Sequence, residues 1–222
     1  DEFTAPPVIL RVDDSVIGTL GNFSASTGKA KSKKTFNVCA IVAAAMMGGT
    51  VLNYSASLPP ERRRILYVDT EQSRFHCKRV LCRILRLAGL PTDTHPPLLE
   101  FLCLRGYATK ERLRKIEEAI YDLDNLGLVV IDGIRDLAHD INSPGEATDL
   151  ITKLMQWTDE RRIHIHTVLH LNKGDDNTRG HLGTELNNKA ETVLQITKDD
   201  FDRDVSSVAA MHIRDRDFEP FA

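Results

Sequence analysis

Gly28-Lys29-Ala30-Lys31-Ser32-Lys33-Lys34-Thr35 is the stretch on which the fold turns. Set against the pattern G-x-x-x-x-G-K-S/T, it keeps the first glycine, the lysine and the hydroxyl residue, but carries Lys33 where the second glycine belongs. Such a loop turns backbone N–H groups onto phosphate oxygens and opens a helix whose N-terminus favours negative charge. Residues 28–36, from Gly28 through Lys29, Ala30, Lys31, Ser32, Lys33, Lys34 and Thr35 to Phe36, are therefore the expected nucleotide-binding segment. Lys34 would reach the β- and γ-phosphates and Thr35 would hold magnesium. A solvated lysine-rich loop before a buried helix would look similar. The missing glycine weakens the match, and Lys33 would be strained if its φ is positive.

Outward from the loop, residues 35–47 are apolar almost all round, as for a helix buried against a sheet, and Gly48-Gly49 ends it. Phe23–Thr27 precedes the loop as a short strand, weakly apolar at Ser24, Ser26 and Thr27. Residues 51–64 read as a loop. Ile65–Val68 is a buried strand stopping at Asp69, and Leu128–Ile131 is another stopping at Asp132. Helical periodicity marks 73–88, 109–123 and about 146–160, and further strands fall at 98–104, 163–171, 193–197 and 207–213. An acidic turn at 199–204 joins the last two, and 174–180 is a polar loop. Alternating helices and buried strands argue for a mainly parallel sheet covered on both faces, with active groups at the strands' carboxyl ends.

Two aspartates at strand exits give the loop its company. Asp132 is placed to accept from magnesium-bound water beside the Thr35 hydroxyl. Asp69 and Glu71 bring two more carboxylates to the same edge: Glu71 to polarise an attacking water, Asp69 to orient magnesium-bound water or to cap the following helix. Asp132 could also simply start a turn.

The chain of 222 residues has room for one well-buried domain, with 1–16 as an extended lead-in. Its net charge of −3 advertises no nucleic-acid partner globally, although a local basic patch could serve one. The cysteines Cys39, Cys77, Cys82 and Cys103 form no C-x-x-C pair and suit reduced packing residues of a cytoplasmic protein. The polar, acidic opening Asp1-Glu2-Phe3-Thr4 does not read as a signal peptide, and the longest apolar stretch, 38–47, is about half a membrane span, so no bilayer crossing is expected.

The order of these parts resembles RecA-like P-loop ATPases, especially the RepA and DnaB type of hexameric replicative helicase and its mobile-element relatives. The resemblance runs from Gly28–Thr35 through Asp69-Thr70-Glu71, Ile131-Asp132, Leu169-His170-Leu171-Asn172 and Arg179–Thr184 to Ile213-Arg214-Asp215-Arg216. It implies an α/β RecA-like core with antiparallel C-terminal strands, ATP and Mg2+ as ligands, and a homo-oligomeric ring, a hexamer in that family, acting on single-stranded DNA. It places the catalytic base on Glu71 and a γ-phosphate sensor on His170 or Asn172. A DNA-contacting loop falls at about 173–183, with Lys173 and Arg179 its cations, and arginines reaching a neighbour's ATP fall on Arg214 and Arg216. Against brisk motor activity stand Lys33 in the loop, and Asp175-Asp176 with no aromatic residue in the DNA segment. A slowly hydrolysing nucleotide-gated switch and a fold-only scaffold are the alternatives.

Overall fold

The computed structural model describes residues 4–171 and 180–222. The chain opens with β1 (Val8–Val12) and β2 (Ser15–Thr19), then β3 (Phe23–Gly28), α1 (Lys34–Met47), β4 (Thr50–Val51), β5 (Tyr54–Ala56) and β6 (Arg64–Asp69). It continues through α2 (Arg74–Leu87), β7 (Leu99–Cys103), α3 (Thr109–Asp122), β8 (Leu126–Asp132), α4 (Pro144–Arg161) and β9 (His164–His170). It closes with α5 (Gly180–Lys189), β10 (Thr192–Lys198) and β11 (Ser206–Ile213).

The main sheet has the order β11-β10-β3-β9-β8-β6-β7, parallel throughout except for the β10–β11 hairpin. Alternate residues of each strand feed two apolar layers. Ile65, Tyr67, Leu128, Val130, Val168 and Leu194 pack under α1 and α2, whereas Leu66, Val68, Val129, Ile131, Ile165 and Val193 pack against α3, α4 and α5. Helix α1 is buried on nearly every side because a second layer covers it. That layer is a small antiparallel sheet of order β2-β1-β5-β4.

This cover sheet corrects two expectations. The extended lead-in is folded back as the β1–β2 hairpin and paired with β5, and 51–64 contributes β5 and part of β4 rather than loop alone. A third correction concerns the expected 173–183 loop: residues 180–183 open α5, while Asn172, Lys173 and Arg179 lie outside the described residues.

Strand β3 lies inside the sheet, between β10 and β9, despite its polar residues, and the reason is a buried ladder. The Thr19 carbonyl can only accept, so His164 donates to it from Nδ1 at 2.8 Å. His164 Nε2 must then accept from Ser24 Oγ at 2.7 Å, and Ser24 in turn accepts from His166 Nδ1 at 2.7 Å. His166 Nε2 accepts from Ser26 Oγ at 2.8 Å. One carbonyl thus fixes both tautomers, and β3 and β9 are joined by side chains as well as backbone. Burial lowers the pKa of both imidazoles, that of His166 to about 3, so both are neutral.

Candidate active site

Parallel pairing brings Gly28 opposite His170 and Asp69 opposite Asp132, so β3, β6, β8 and β9 end at one edge. There the chain encloses a cavity of about 620 Å³ lined by residues 31–37, Leu52, Glu71, Arg83, Asp132, His170 and segments of the C-terminal hairpin and tail.

The loop from Gly28 wraps tightly. A Cβ at Gly28 would stand 2.4 Å from both the Ile196 carbonyl and Ser32 Oγ, so only glycine fits. Lys31 and Lys33 both take left-handed conformations, each with φ 64°. Lys33 is the N-cap of α1, and it adopts the dihedrals that the pattern's glycine would supply. Lys34 turns back on its own loop, its Nζ donating to the Gly28 carbonyl at 2.9 Å, the Lys29 carbonyl at 2.6 Å and Ser32 Oγ at 3.3 Å. Desolvation lowers its pKa to about 8, against the raising pull of Asp132 and Glu71.

Thr35 Oγ1 donates to Asp132 Oδ2 at 3.0 Å, and Tyr67 Oη donates to the same oxygen at 2.9 Å. Burial pushes the Asp132 carboxyl up to about 6, with the charges of Asp69 and Glu71 adding to the rise and the two hydrogen bonds opposing it. A buried carboxylate held against other carboxylates is a place where a cation is welcome. Among the described residues no cluster of three or more His, Cys, Asp or Glu side chains could hold a metal alone. A hydroxyl beside a single carboxylate suits magnesium shared with phosphate oxygens.

Glu71 lies just past β6, half exposed, with Oε1 3.7 Å from His170 Nε2. His170 beside it, reinforced by Lys34 and Arg135, keeps its carboxyl below the usual range. Thr70 braces this turn, accepting from Gly133 N–H at 3.0 Å and donating to Asp136 at 3.0 Å. His170 Nδ1 is buried with no hydrogen-bond partner among the described residues.

Two expected sets of residues lie elsewhere. Asp69, the third expected metal ligand, is fully buried outside the cavity lining. Its carboxylate accepts from the N–H groups of Glu71 and Gln72 at 3.0 and 2.8 Å and from Gln72 Nε2 at 2.7 Å, so it holds the Glu71 turn. Arg214 and Arg216 do not line this chain's own cavity: β11 runs antiparallel to β10 and carries them to the opposite edge of the sheet. Arg214 donates to the Lys189 carbonyl at 3.1 Å, and Arg216 lies 3.8 Å from Asp14.

Sequence reasoning missed Tyr67, Arg83, Leu52 and the tail residue Phe221. Only Tyr67 left a signal, a phenol inside an otherwise apolar strand beside β8. Arg83 reaches the cavity over the Phe36 ring, 5.9 Å from its centroid, and nothing in its spacing announces that.

The comparisons agree with this architecture. A crystal structure of the RadB recombinase superposes with a TM-score of 0.61 at 16% identity, covering 88% of this chain and 82% of that one. At that identity the likeness shows the fold, which is RecA-like. No curated protein matches the chain. A family model described as AAA domain matches residues 5–176, most of the chain, and the chain belongs to that family.

Proposed function

We propose that the chain binds and hydrolyses ATP, and acts as a ring-forming helicase or helicase-like motor on single-stranded DNA. The observation carrying the ATPase reading is the Thr35–Asp132 hydrogen bond of 3.0 Å, closed on one cavity with Lys34 and Glu71. Lys34 exchanges its loop carbonyls for β- and γ-phosphate oxygens, and the loop N–H groups from residue 31 onward hold the rest of the chain of phosphates. Thr35 and Asp132 would hold magnesium, which when bound would supply positive charge to the phosphoryl oxygens. Glu71, kept ionised at neutral pH by His170 and Lys34, orients and polarises the attacking water. His170 senses the γ-phosphate from beside Glu71. Phe36, Leu52, Val208 and Phe221 give the cavity an apolar side suited to the base. Arg214 and Arg216 act in trans, on a neighbour's nucleotide.

Likeness in fold to a recombinase, and the order of motifs shared with ring helicases, support DNA as the partner. One observation favours the slower, nucleotide-gated switch instead: Lys34 is already bound by its own loop, so phosphate must displace three hydrogen bonds.

Turnover of Mg·ATP with and without a single-stranded oligonucleotide separates the two. The motor predicts stimulation of at least about tenfold and a loss of about a hundredfold or more in Glu71→Gln. Unchanged slow turnover with DNA supports the switch, and full turnover in Glu71→Gln removes Glu71 as the base.

A further inference from the structure

We propose that copies of this chain associate head to tail, the acidic β10–β11 tip of one docking on the basic outer face of α2 in the next.

The two surfaces are opposite in charge and each exposes a phenylalanine. The tip, residues 199–204, carries Asp199, Asp200, Asp202 and Asp204 against the single cation Arg203, and every one of these residues is exposed. Phe201 at its centre is 99% exposed. The tip is held in shape by its own side chains. Asp199 Oδ1 accepts from the N–H groups of Phe201 and Asp202 at 2.8 and 2.7 Å, and Asp202 Oδ1 from Asp204 N–H at 2.8 Å. A ring displayed on an ordered turn loses little freedom on docking.

Helix α2 carries Arg74, Lys78, Arg79, Arg83 and Arg86 and no carboxylate. Cys77, Val80, Ile84 and Leu85 face the core, which leaves Arg74, Phe75, Lys78, Arg79 and Arg86 outside, Phe75 at 69% exposure. Arginine stems and the Phe75 ring give Phe201 an apolar seat, with guanidinium groups to face its π-cloud and the flanking aspartates. The whole chain has a net charge of only −3, so both patches are local segregations.

Topology places the two surfaces to meet between copies. The hairpin closes one end of the seven-stranded sheet, and α2 bridges β6 and β7 at the other. The tip stands at the carboxyl edge, because β10 runs parallel to β3, and α2 starts at that edge after β6 and runs back toward the start of β7. Different patches at opposite ends of one body make a heterologous contact, which propagates into a ring or a filament.

The proposal rests on the oligomer reading above, but its test measures mass rather than turnover. Sedimentation velocity at low salt is run on the wild-type chain, on a tip variant (Phe201→Ser with Asp200→Lys) and on a helix variant (Lys78→Glu with Arg79→Glu). Wild type is expected to exceed a dimer and to dissociate as salt rises. Each variant alone should associate at least about tenfold more weakly, and their mixture should stop at a dimer of one each, since only one intact tip and one intact α2 remain. In a separate chain carrying Phe75→Cys and Phe201→Cys, oxidation should link these positions between copies. Association of both variants as strong as wild type overturns the surfaces while leaving an oligomer standing. A wild type that stays monomeric overturns both. A helix variant that assembles normally but loses a single-stranded oligonucleotide makes α2 a nucleic-acid surface and overturns the docking.

Discussion

Lys33 occupies the N-cap of α1, at the position where the phosphate-loop pattern has glycine. It stands at φ 64°, ψ 29°, where an L-residue is penalised by its Cβ and glycine is not. Its ammonium lies 3.8 Å from Asp204, which is fully exposed, so that ion pair offsets little of the strain. Lys33→Gly is therefore expected to stabilise the chain by about 1 kcal/mol, read as a higher denaturant midpoint at unchanged m-value. A lower midpoint would mean that the Lys33 side chain contributes more than its conformation costs. The same residue explains why the loop was legible only in part. Gly28, Lys34 and Thr35 match the pattern by chemical type, whereas the left-handed turn at position 33 is a property of backbone that sequence type does not reveal. Glu71 and Asp132 were legible because each follows a buried apolar run. Asp69 looked equivalent to Asp132, and nothing in one dimension distinguishes a carboxylate folded onto its own turn from one facing a cavity.

At the scale of elements, hydropathy under-reads β3 and misses the cover sheet. Ser24 and Ser26 look like surface residues until His164 and His166 appear opposite them across a parallel pair. A ladder of four side chains from two distant segments has no local signature. The strands β1, β2, β4 and β5 are short, and their partners are split between the two sides of α1, so alternation alone cannot pair them. The ladder has a pH consequence. Both imidazoles are neutral when folded, with pKa values lowered below 6.5, so the unfolded chain binds more protons in the acid range. Stability contributed by keeping them neutral is present above about pH 6.5 and is lost as pH falls from there toward about 3, the value for His166. The slope is at most about 1.4 kcal/mol per pH unit for each imidazole. Denaturant titrations of the wild type should lose stability between about pH 6.5 and 4 faster than a variant carrying Leu at positions 164 and 166 and Ala at 24 and 26. Parallel curves would show that other groups govern acid unfolding.

Across the whole molecule, strand order sets what each part can do. Four parallel strands bring Gly28, Glu71, Asp132 and His170 to one edge, the cover sheet seals α1 from above, and the reversed last strand moves Arg214 and Arg216 to the far edge. In the proposed reading one chain builds the phosphate and metal side of a nucleotide site and keeps its terminal arginines away from its own site. Calorimetric titration of Mg·ATP into the wild-type chain and into Lys34→Ala tests the nucleotide site most directly. Saturable one-to-one binding in the wild type, weakened at least about tenfold in Lys34→Ala with the fold retained by circular dichroism, is the predicted result. Equal affinity in the two chains, or no heat of binding in the wild type, would contradict it.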